Sequence, residues 1–218
     1  MPARYRTVAF AMVLALVAAD GSPASAETSV QRPSECFSED NERRIAGCSD
    51  LIATPGLATD DLALAYAMRA LAYSLKAAYP QALSDYDEAL RLRPDFPIAL
   101  NNRAWALYKS GDPARALPDV ERALALSPGS PHALDTRAHI RHLQGEARAA
   151  LADYELAMRF GGERMIKLYQ CGLQARGLYQ GDLDGRYTAD LRTALQVCVN
   201  DRTCDPLPAD EECRRVTS

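Results

Sequence analysis

No segment of this sequence is apolar for long enough to cross a bilayer, which takes about 20 consecutive residues. The longest apolar run, residues 8–19, covers only 12 positions. A net charge of −4 gives no excess of basic residues, so the composition does not point to a nucleic-acid partner. No phosphate-binding loop, catalytic nucleophile or pair of catalytic carboxylates is recognisable. These absences favour a non-enzymatic protein that needs no cofactor.

The first residues have the organisation of an export signal. Arg4 and Arg6 precede the apolar run, and Ala24-Ser25-Ala26 has the small residues of a cleavage site. We therefore expect residues 1–26 to be a signal peptide, no membrane span after its removal, and a periplasmic or secreted protein. All six cysteines follow the expected cut, and an even number in an exported chain predicts disulfide bonds.

Three segments of 34 residues align without gaps: 63–96, 97–130 and 131–164. Positions 4, 8, 11, 20, 24 and 27 of each segment are apolar, with Arg141 as the exception. Spacings of three and four place these residues on one face of a helix, so each repeat should be two amphipathic helices. Alanine at positions 8 and 20 allows the two helices to approach closely. Pro94 and Pro128 should end the second helices of the first two repeats.

The period and the positions of these residues resemble the tetratricopeptide repeat family. The resemblance implies an all-α solenoid of helix-turn-helix units whose concave groove binds a protein or peptide. Family groove positions fall in the first repeat on Leu64, Ala67, Met68, Leu71 and Ser74. In the second and third repeats, we expect partner contacts from Asn101, Asn102, Trp105, Tyr108, His132, Asp135, His139 and His142.

The register extends backwards into residues 27–62, which we interpret as a degenerate N-terminal cap repeat. Cys36 and Cys48 fall at positions 8 and 20, where alanine faces alanine in the other repeats. We therefore expect a disulfide between them. In the chain-entropy model, closing a loop of this size stabilises the fold by about 3 kcal/mol.

Residues 165–199 resemble a small peptidoglycan-binding-like helical domain, through Leu168, Gln170 and Leu173 and the turn around Gly177. This resemblance implies cell-wall binding by Tyr179, Asp184, Gly185 and Tyr187. Such binding would locate the groove protein at the cell wall or, as a second functional hypothesis, would be the main function, with the repeats as a rigid spacer. The alternative is that the helix from 163 to 176 only caps the solenoid. A cysteine-containing tail, residues 200–218, follows. Four cysteines allow three pairings, of which we favour Cys171 with Cys198 and Cys204 with Cys213.

The only three histidines of the chain are His132, His139 and His142, all on one predicted helix. A metal-responsive protein that uses His139 with His142 or Asp135 is a third functional hypothesis, although a polar groove wall is the simpler interpretation and we assign no metal site. Carboxylates that recur on the second helices are expected at solvated positions. They are Asp85, Asp87, Asp119, Glu121, Asp153 and Glu155.

Overall fold

The computed structural model describes residues 35–207 and Cys213. The expected signal peptide, the first residues of the cap and most of the end of the tail lie outside these residues. Within them, all regular structure is helical. The helices are α1 Asn41–Ile52, α2 Thr59–Leu75, α3 Tyr79–Leu92, α4 Pro97–Lys109, α5 Pro113–Leu126, α6 Pro131–Gln144, α7 Ala147–Ala175 and α8 Ala189–Val199.

Helix boundaries follow local capping chemistry. The carboxylate of Asp40 accepts a hydrogen bond from the backbone of α1, and Asp112, Ser130 and Thr188 do the same for α5, α6 and α8. Helices α3 to α6 each carry proline in the first turn, where the missing N–H costs nothing. Helices α3 and α5 end two residues before Pro94 and Pro128, as predicted.

The helices form antiparallel pairs that stack in chain order, α2 with α3, α4 with α5 and α6 with α7. The second helices begin at Tyr79, Pro113 and Ala147, each 34 residues after the one before. Helix α2 begins at Thr59, four residues before the expected start of the first repeat. Asp60 and Asp61 lie in its first turn, where negative charge is favourable.

Alanine at repeat positions 8 and 20 is fully buried in every repeat, as expected from the close approach of the paired helices. The six residues are Ala70, Ala82, Ala104, Ala116, Ala138 and Ala150. Between the repeats, larger side chains such as Tyr86, Leu100 and Val120 fill the remaining space. The core is therefore a continuous apolar layer along the stack, which is why no single pair would be stable alone.

Buried Arg–Asp pairs join the two helices of each repeat, and this corrects the prediction that the second-helix aspartates are solvated. Asp85, Asp119 and Asp153 are at most 9% exposed. Each accepts two hydrogen bonds of 2.6–2.8 Å from one guanidinium on the first helix. The donors are Arg69, Arg103 and Arg137, at the same position of successive repeats. A bidentate pair of this kind fixes the distance and rotation between the helices.

The third repeat differs from the other two at position 11, and an Asp–Arg contact explains this difference too. Arg141 stands at this otherwise apolar position, and its Nη1 donates a 2.7 Å hydrogen bond to Asp153, which already binds Arg137. One nearly inaccessible carboxylate therefore binds two guanidinium groups. The third repeat is held together by charge where the others use a further apolar contact.

Gly162 marks the end of the repeats inside α7. Its backbone has φ 64° and ψ −155°, a conformation that favours glycine, and the helix changes direction there. The second part of α7 continues to Ala175, and Tyr169 and Leu173 are fully buried against the third repeat and α8. This segment covers the apolar end of the stack, and α8 packs against it.

The C-terminal cysteines pair differently from the prediction. Cys171 is bonded to Cys213, and Cys198 to Cys204, whereas Cys36 is bonded to Cys48 as expected. The predicted pairings assumed that the first and last helices of the C-terminal unit are linked to each other. Instead, Cys198 at the end of α8 closes a turn of six residues, and this turn directs the following chain across the concave face of the repeats.

Candidate functional site

The concave face of the first two repeats contains a cavity of about 510 Å³. Leu71 and Ser74 of α2 and Asn102 and Trp105 of α4 lie on its walls, all four at positions that the family resemblance assigns to the groove. The remaining lining residues are Leu75, Ala77, Tyr79, Tyr86, Lys109, Arg176, Asp205 and Leu207. The cavity is thus shared between the repeats and the C-terminal segment.

Trp105 has a double role at this cavity. Its ring lies 5.3 Å from the ring of Tyr108 and 5.4 Å, edge to face, from that of His139. The indole is only partly buried, and its other side faces the cavity. It therefore packs between neighbouring repeats and also offers an aromatic surface to a ligand, which is a common property of binding hot spots.

Asn101 and Asn102 are adjacent in sequence but differ in exposure. Asn101 is buried, with 9% of its surface exposed, and its side-chain amide lies 3.3 Å from the side-chain oxygen of Asn102. Asn102 is more open and lines the cavity. Of the two predicted amides, only Asn102 is therefore placed to bind a ligand directly.

The predicted groove residues of the third repeat are covered rather than open. Asp135, His139 and His142 are 8%, 2% and 4% exposed. Tyr169 of α7 donates a hydrogen bond to the carboxylate of Asp135, and His142 Nε2 donates to the backbone oxygen of Asp201 at 2.9 Å. The C-terminal segment of this chain thus occupies the position where a partner was expected.

His139 is the centre of this contact. Its Nδ1 lies 2.9 Å from the backbone oxygen of Asp135, and its Nε2 lies 3.1 Å from the carboxylate of Asp205. Because both ring nitrogens face acceptors, only the imidazolium can donate to both. Burial alone would lower the pKa of His139, but the carboxylates of Asp135 and Asp205 outweigh it and raise this pKa. The surroundings of the ring therefore favour its charged form.

The pKa values of Asp135 and Asp205 are shifted in opposite directions. Burial raises the pKa of Asp135, despite the nearby charge of His139 and the hydrogen bond from Tyr169. For Asp205, burial acts in the same sense but is outweighed by the hydrogen bond and charge of His139, which lower its pKa. The ion pair that joins the tail to the third repeat is consequently His139 with Asp205.

His132 does not take part in this arrangement. Its side chain is exposed and lines a separate depression of about 270 Å³ between the start of α6 and the bend of α7. Among residues 35–207 and Cys213, no three histidine, cysteine or acidic side chains are grouped as a metal ion would require. His139 and His142 are instead bound to the tail.

The polar groups beneath the cavity are closed to solvent. The hydroxyls of Tyr86 and Ser74 are both buried, and the hydroxyl of Tyr86 lies beside the side chains of Ser74 and Asn102. Burial raises the pKa of Tyr86, so its hydroxyl keeps its proton. These hydroxyls therefore support the wall that carries Asn102 and are not themselves exposed to a ligand.

The four residues expected to bind cell wall do not form one open surface. Tyr179 and Gly185 are buried. The amide of Gln170 binds the Asp184 carboxylate and the Gly185 N–H at 2.9 Å each, while the Tyr187 hydroxyl donates to Glu155 at 2.8 Å. The turn is thus organised around the buried side chain of Gln170, and its polar groups serve the fold.

Several lining residues were not anticipated from the sequence. Tyr86 occupies a buried core position of the repeat and also borders the cavity. Arg176, Asp205 and Leu207 belong to C-terminal segments outside the repeat period, so periodicity gave no indication of them. The recurrence of arginine at positions 69, 103 and 137 was visible in the sequence and would have predicted the Arg–Asp pairs.

Comparison with known proteins agrees with this architecture. No curated protein matches the chain. The model of the family described as Tetratricopeptide repeat matches residues 67–131, which cover most of the first repeat and all of the second, and do not reach the C-terminal unit. Over this range the chain is similar to tetratricopeptide repeats, and the described residues form an all-α solenoid of that type.

Proposed function

We propose that this protein is a non-enzymatic adaptor that binds an extended segment of another protein in the cavity of its first two repeats. The observation that carries the proposal is the placement of Trp105 and Asn102 together on one wall of the cavity. Aromatic anchors combined with a few convergent polar groups are typical of such sites. The similarity to tetratricopeptide repeats supports protein binding as the general activity.

We further propose that the protein acts outside the cytoplasm. Three disulfide bonds link all six cysteines, and such bonds are typical of proteins in an oxidising compartment, which supports this proposal. In the described residues, no helix has the length and hydrophobicity needed to cross a membrane. Location at the cell wall rests on the C-terminal resemblance, and sedimentation of the oxidised protein with purified peptidoglycan sacculi tests it. Failure to sediment would leave only the groove as a binding site.

The groove is tested with a synthetic library of random dodecapeptides passed over the immobilised, oxidised chain from residue 27 to 218. Peptides that are retained are resynthesised and titrated while the intrinsic fluorescence is recorded. Trp105 is the only tryptophan of the chain, so its emission reports this site directly. We expect saturable changes in emission.

Replacement of one lining residue provides the control. Asn102→Ala removes a hydrogen-bonding group from the wall and should weaken binding by about tenfold. Gln144→Ala, at an exposed position at the end of α6, should leave the affinity unchanged. Retained peptides that bind equally well to the Asn102→Ala protein, without any change in Trp105 emission, would contradict groove binding.

A further inference from the structure

The C-terminal segment 201–207, here called the strap, closes the concave face of the third repeat through polar contacts. The backbone oxygen of Asp201 accepts a 2.9 Å hydrogen bond from His142. The carboxylate of Asp205 accepts a hydrogen bond of 3.1 Å from His139. Both histidines stand at positions that the family resemblance assigns to the groove. The strap therefore occupies the part of the groove that lies next to the open cavity.

Two disulfide bonds fix the path of the strap. Cys198 at the end of α8 is bonded to Cys204 within the strap, at a sequence separation of 6. Cys213, beyond the strap, is bonded to Cys171 of α7 at a separation of 42. The short bond forces the chain to turn directly after α8, whereas the long bond attaches the far end of the strap to α7. The approach of the strap to the third repeat thus depends on the short bond.

The disulfide bonds of the chain differ in their access to solvent. Five of the six cysteines are at most 9% exposed: Cys36, Cys48, Cys171, Cys198 and Cys213. Only Cys204 is partly exposed. Exchange begins when a thiolate attacks a sulfur of the disulfide, so its rate depends on which sulfur the thiolate can reach. The sulfur of Cys204 is therefore the one most open to attack.

A depression beside the Cys198–Cys204 bond gives a reactant room to approach. Its volume is about 250 Å³, and both cysteines line it together with residues of the strap turn. Val197, on its edge, is 52% exposed. Arg176, also on its edge, is an exposed cation, and a neighbouring positive charge favours the reactive thiolate form of a thiol. The surroundings of this bond thus suit attack by a thiolate.

On the basis of the proposed function, we propose that the Cys198–Cys204 bond is a thiol–disulfide exchange site for a dithiol, and that its reduction opens the concave face of the third repeat to a partner. A thiolate of the dithiol attacks the sulfur of Cys204, the Cys198–Cys204 bond breaks, and Cys198 leaves as a thiolate and is protonated. The second thiolate of the dithiol then displaces the sulfur of Cys204, which is protonated in turn. Two electrons and, through water, two protons pass to this chain, and the dithiol becomes a disulfide.

Reduction releases the strap without detaching it. The turn after α8 is then held only by hydrogen bonds to Asp201, from Thr203 and from the backbone of Cys204. The buried Cys171–Cys213 bond keeps the far end of the strap attached, so the short bond can form again. The accessible groove lengthens from the second repeat into the third, and the dithiol controls how much of it a partner reaches.

Partial reduction of the full oxidised chain, residues 27–218, tests the exchange site. The protein is treated with dithiothreitol under native conditions, free thiols are alkylated with iodoacetamide at intervals, and sequencing by mass spectrometry assigns each label. Cys198 and Cys204 should be labelled about tenfold faster than the other four cysteines, because only their bond has an exposed sulfur. Equal rates, or faster labelling of Cys171 and Cys213, overturn the exchange site.

The three histidines report whether the third repeat opens. His139 and His142 are buried beneath the strap, whereas His132 on the same helix is exposed and serves as an internal standard. Diethyl pyrocarbonate, which modifies accessible neutral imidazoles, should label only His132 in the oxidised protein. After selective reduction and alkylation, it should also label His139 and His142. Unchanged labelling of these two histidines overturns the opening of the groove.

Matched serine variants separate the short bond from reduction in general. Cys198→Ser with Cys204→Ser should expose His139 and His142 without a reductant. Cys36→Ser with Cys48→Ser should leave both histidines protected until dithiothreitol is added. Circular dichroism verifies that the variants are folded, and reduced wild-type protein provides the same comparison if the first pair does not fold. Exposure of the histidines by the cap variant to the same extent counts against the proposal.

The partner is tested by passing the random dodecapeptide library over the oxidised protein and over the protein with Cys198→Ser and Cys204→Ser. The opened form should retain sequences that the oxidised form does not. If the histidines become accessible but both forms retain the same sequences, the third repeat is not a partner site. If neither form retains a peptide, groove binding itself fails, while the cysteine and histidine labels still decide whether the bond exchanges and the strap opens.

Discussion

The second and third repeats have the same helical framework but different concave faces. In the second repeat, Asn102 and Trp105 face an accessible cavity. In the third, Asp135, His139 and His142 are buried beneath Tyr169 and the strap. The concave face of the third repeat therefore binds a segment of the same chain. A repeat framework therefore does not by itself show where a partner binds.

The difference depends on polar chemistry rather than on helix packing. The covered face contains a histidine between two carboxylates, and every nitrogen of that ring is matched by an acceptor of this chain. In the second repeat, Asn102 and Trp105 instead line the cavity. A completed polar network therefore marks the concave face that the chain itself covers.

The largest effect is expected from removing the shared carboxylate of the third repeat. Asp153→Ala removes the carboxylate that Arg137 and Arg141 share and leaves Arg141 with only Glu146 at 4.0 Å, so it should lower the free energy of unfolding by about 4 kcal/mol. In the second repeat, Asp119→Ala removes one carboxylate from Arg103, but Arg103 keeps its 2.7 Å hydrogen bond to Asp87. The loss of unfolding free energy should therefore be smaller, about 2 kcal/mol. Urea denaturation measures both values.

A matched double replacement tests whether the unpaired buried charge is what destabilises the Asp119→Ala protein. Changing Arg103 and Asp119 together to methionine and leucine removes the pair without leaving a buried charge, and its cost should fall below that of Asp119→Ala alone. Equal costs for Asp153→Ala and Asp119→Ala would show that the two repeats are held together in the same way and would weaken the contrast drawn between them.

A somewhat smaller effect is expected from releasing the strap. Replacing Cys171 and Cys213 by serine removes a link between residues separated by 42 positions and should lower the free energy of unfolding by about 2–4 kcal/mol. Because the strap borders the cavity, Trp105 emission should also shift to longer wavelength. Replacing Cys36 and Cys48 instead should destabilise the protein without moving the emission, since that disulfide lies in the N-terminal cap.

The smallest effect concerns pH. The pKa of His139 is raised in the folded protein, so its contribution to stability is complete below the unfolded value of 6.5 and is lost as pH rises through the folded value. Asp135 and Asp205 face this ring, as do Tyr108 and Tyr154, while Tyr169 binds Asp135. The pKa values of the three tyrosines are raised, that of Tyr108 to about 12. The tyrosines therefore remain protonated between pH 6 and 9.

Comparison with His139→Gln isolates this contribution. Above pH 6.5, wild-type stability should fall with pH relative to the variant, with a difference in slope of at most about 1.4 kcal/mol per pH unit. Parallel stability curves for the two proteins between pH 6 and 9 would show that His139 is not the titrating group that secures the strap.

Periodicity predicted the features that recur along the chain. Alanine packing follows from helical spacing within one repeat, and the Cys36–Cys48 bond follows from the same register. The ends of α3 and α5 were expected from Pro94 and Pro128, and the groove positions of Trp105 and Asn102 from the family resemblance. The strap could not be predicted in this way. His139 and Asp205 are 66 residues apart, and nothing periodic connects them. Their contact depends on the path of the chain after α8, which the Cys198–Cys204 bond sets.

The buried Arg–Asp pairs make each repeat a unit that can be exchanged as a whole. Arg103 and Asp119 both lie between Pro97 and Ser130, so deletion of these residues would remove a complete pair and leave Arg69 with Asp85 and Arg137 with Asp153. Arg137 would then occupy the place of Arg103 beside Asp87. Duplication or loss of one 34-residue repeat would therefore leave no unpaired charge in the core. The number of repeats can change in this way without affecting the contacts of the C-terminal segment with the last repeat.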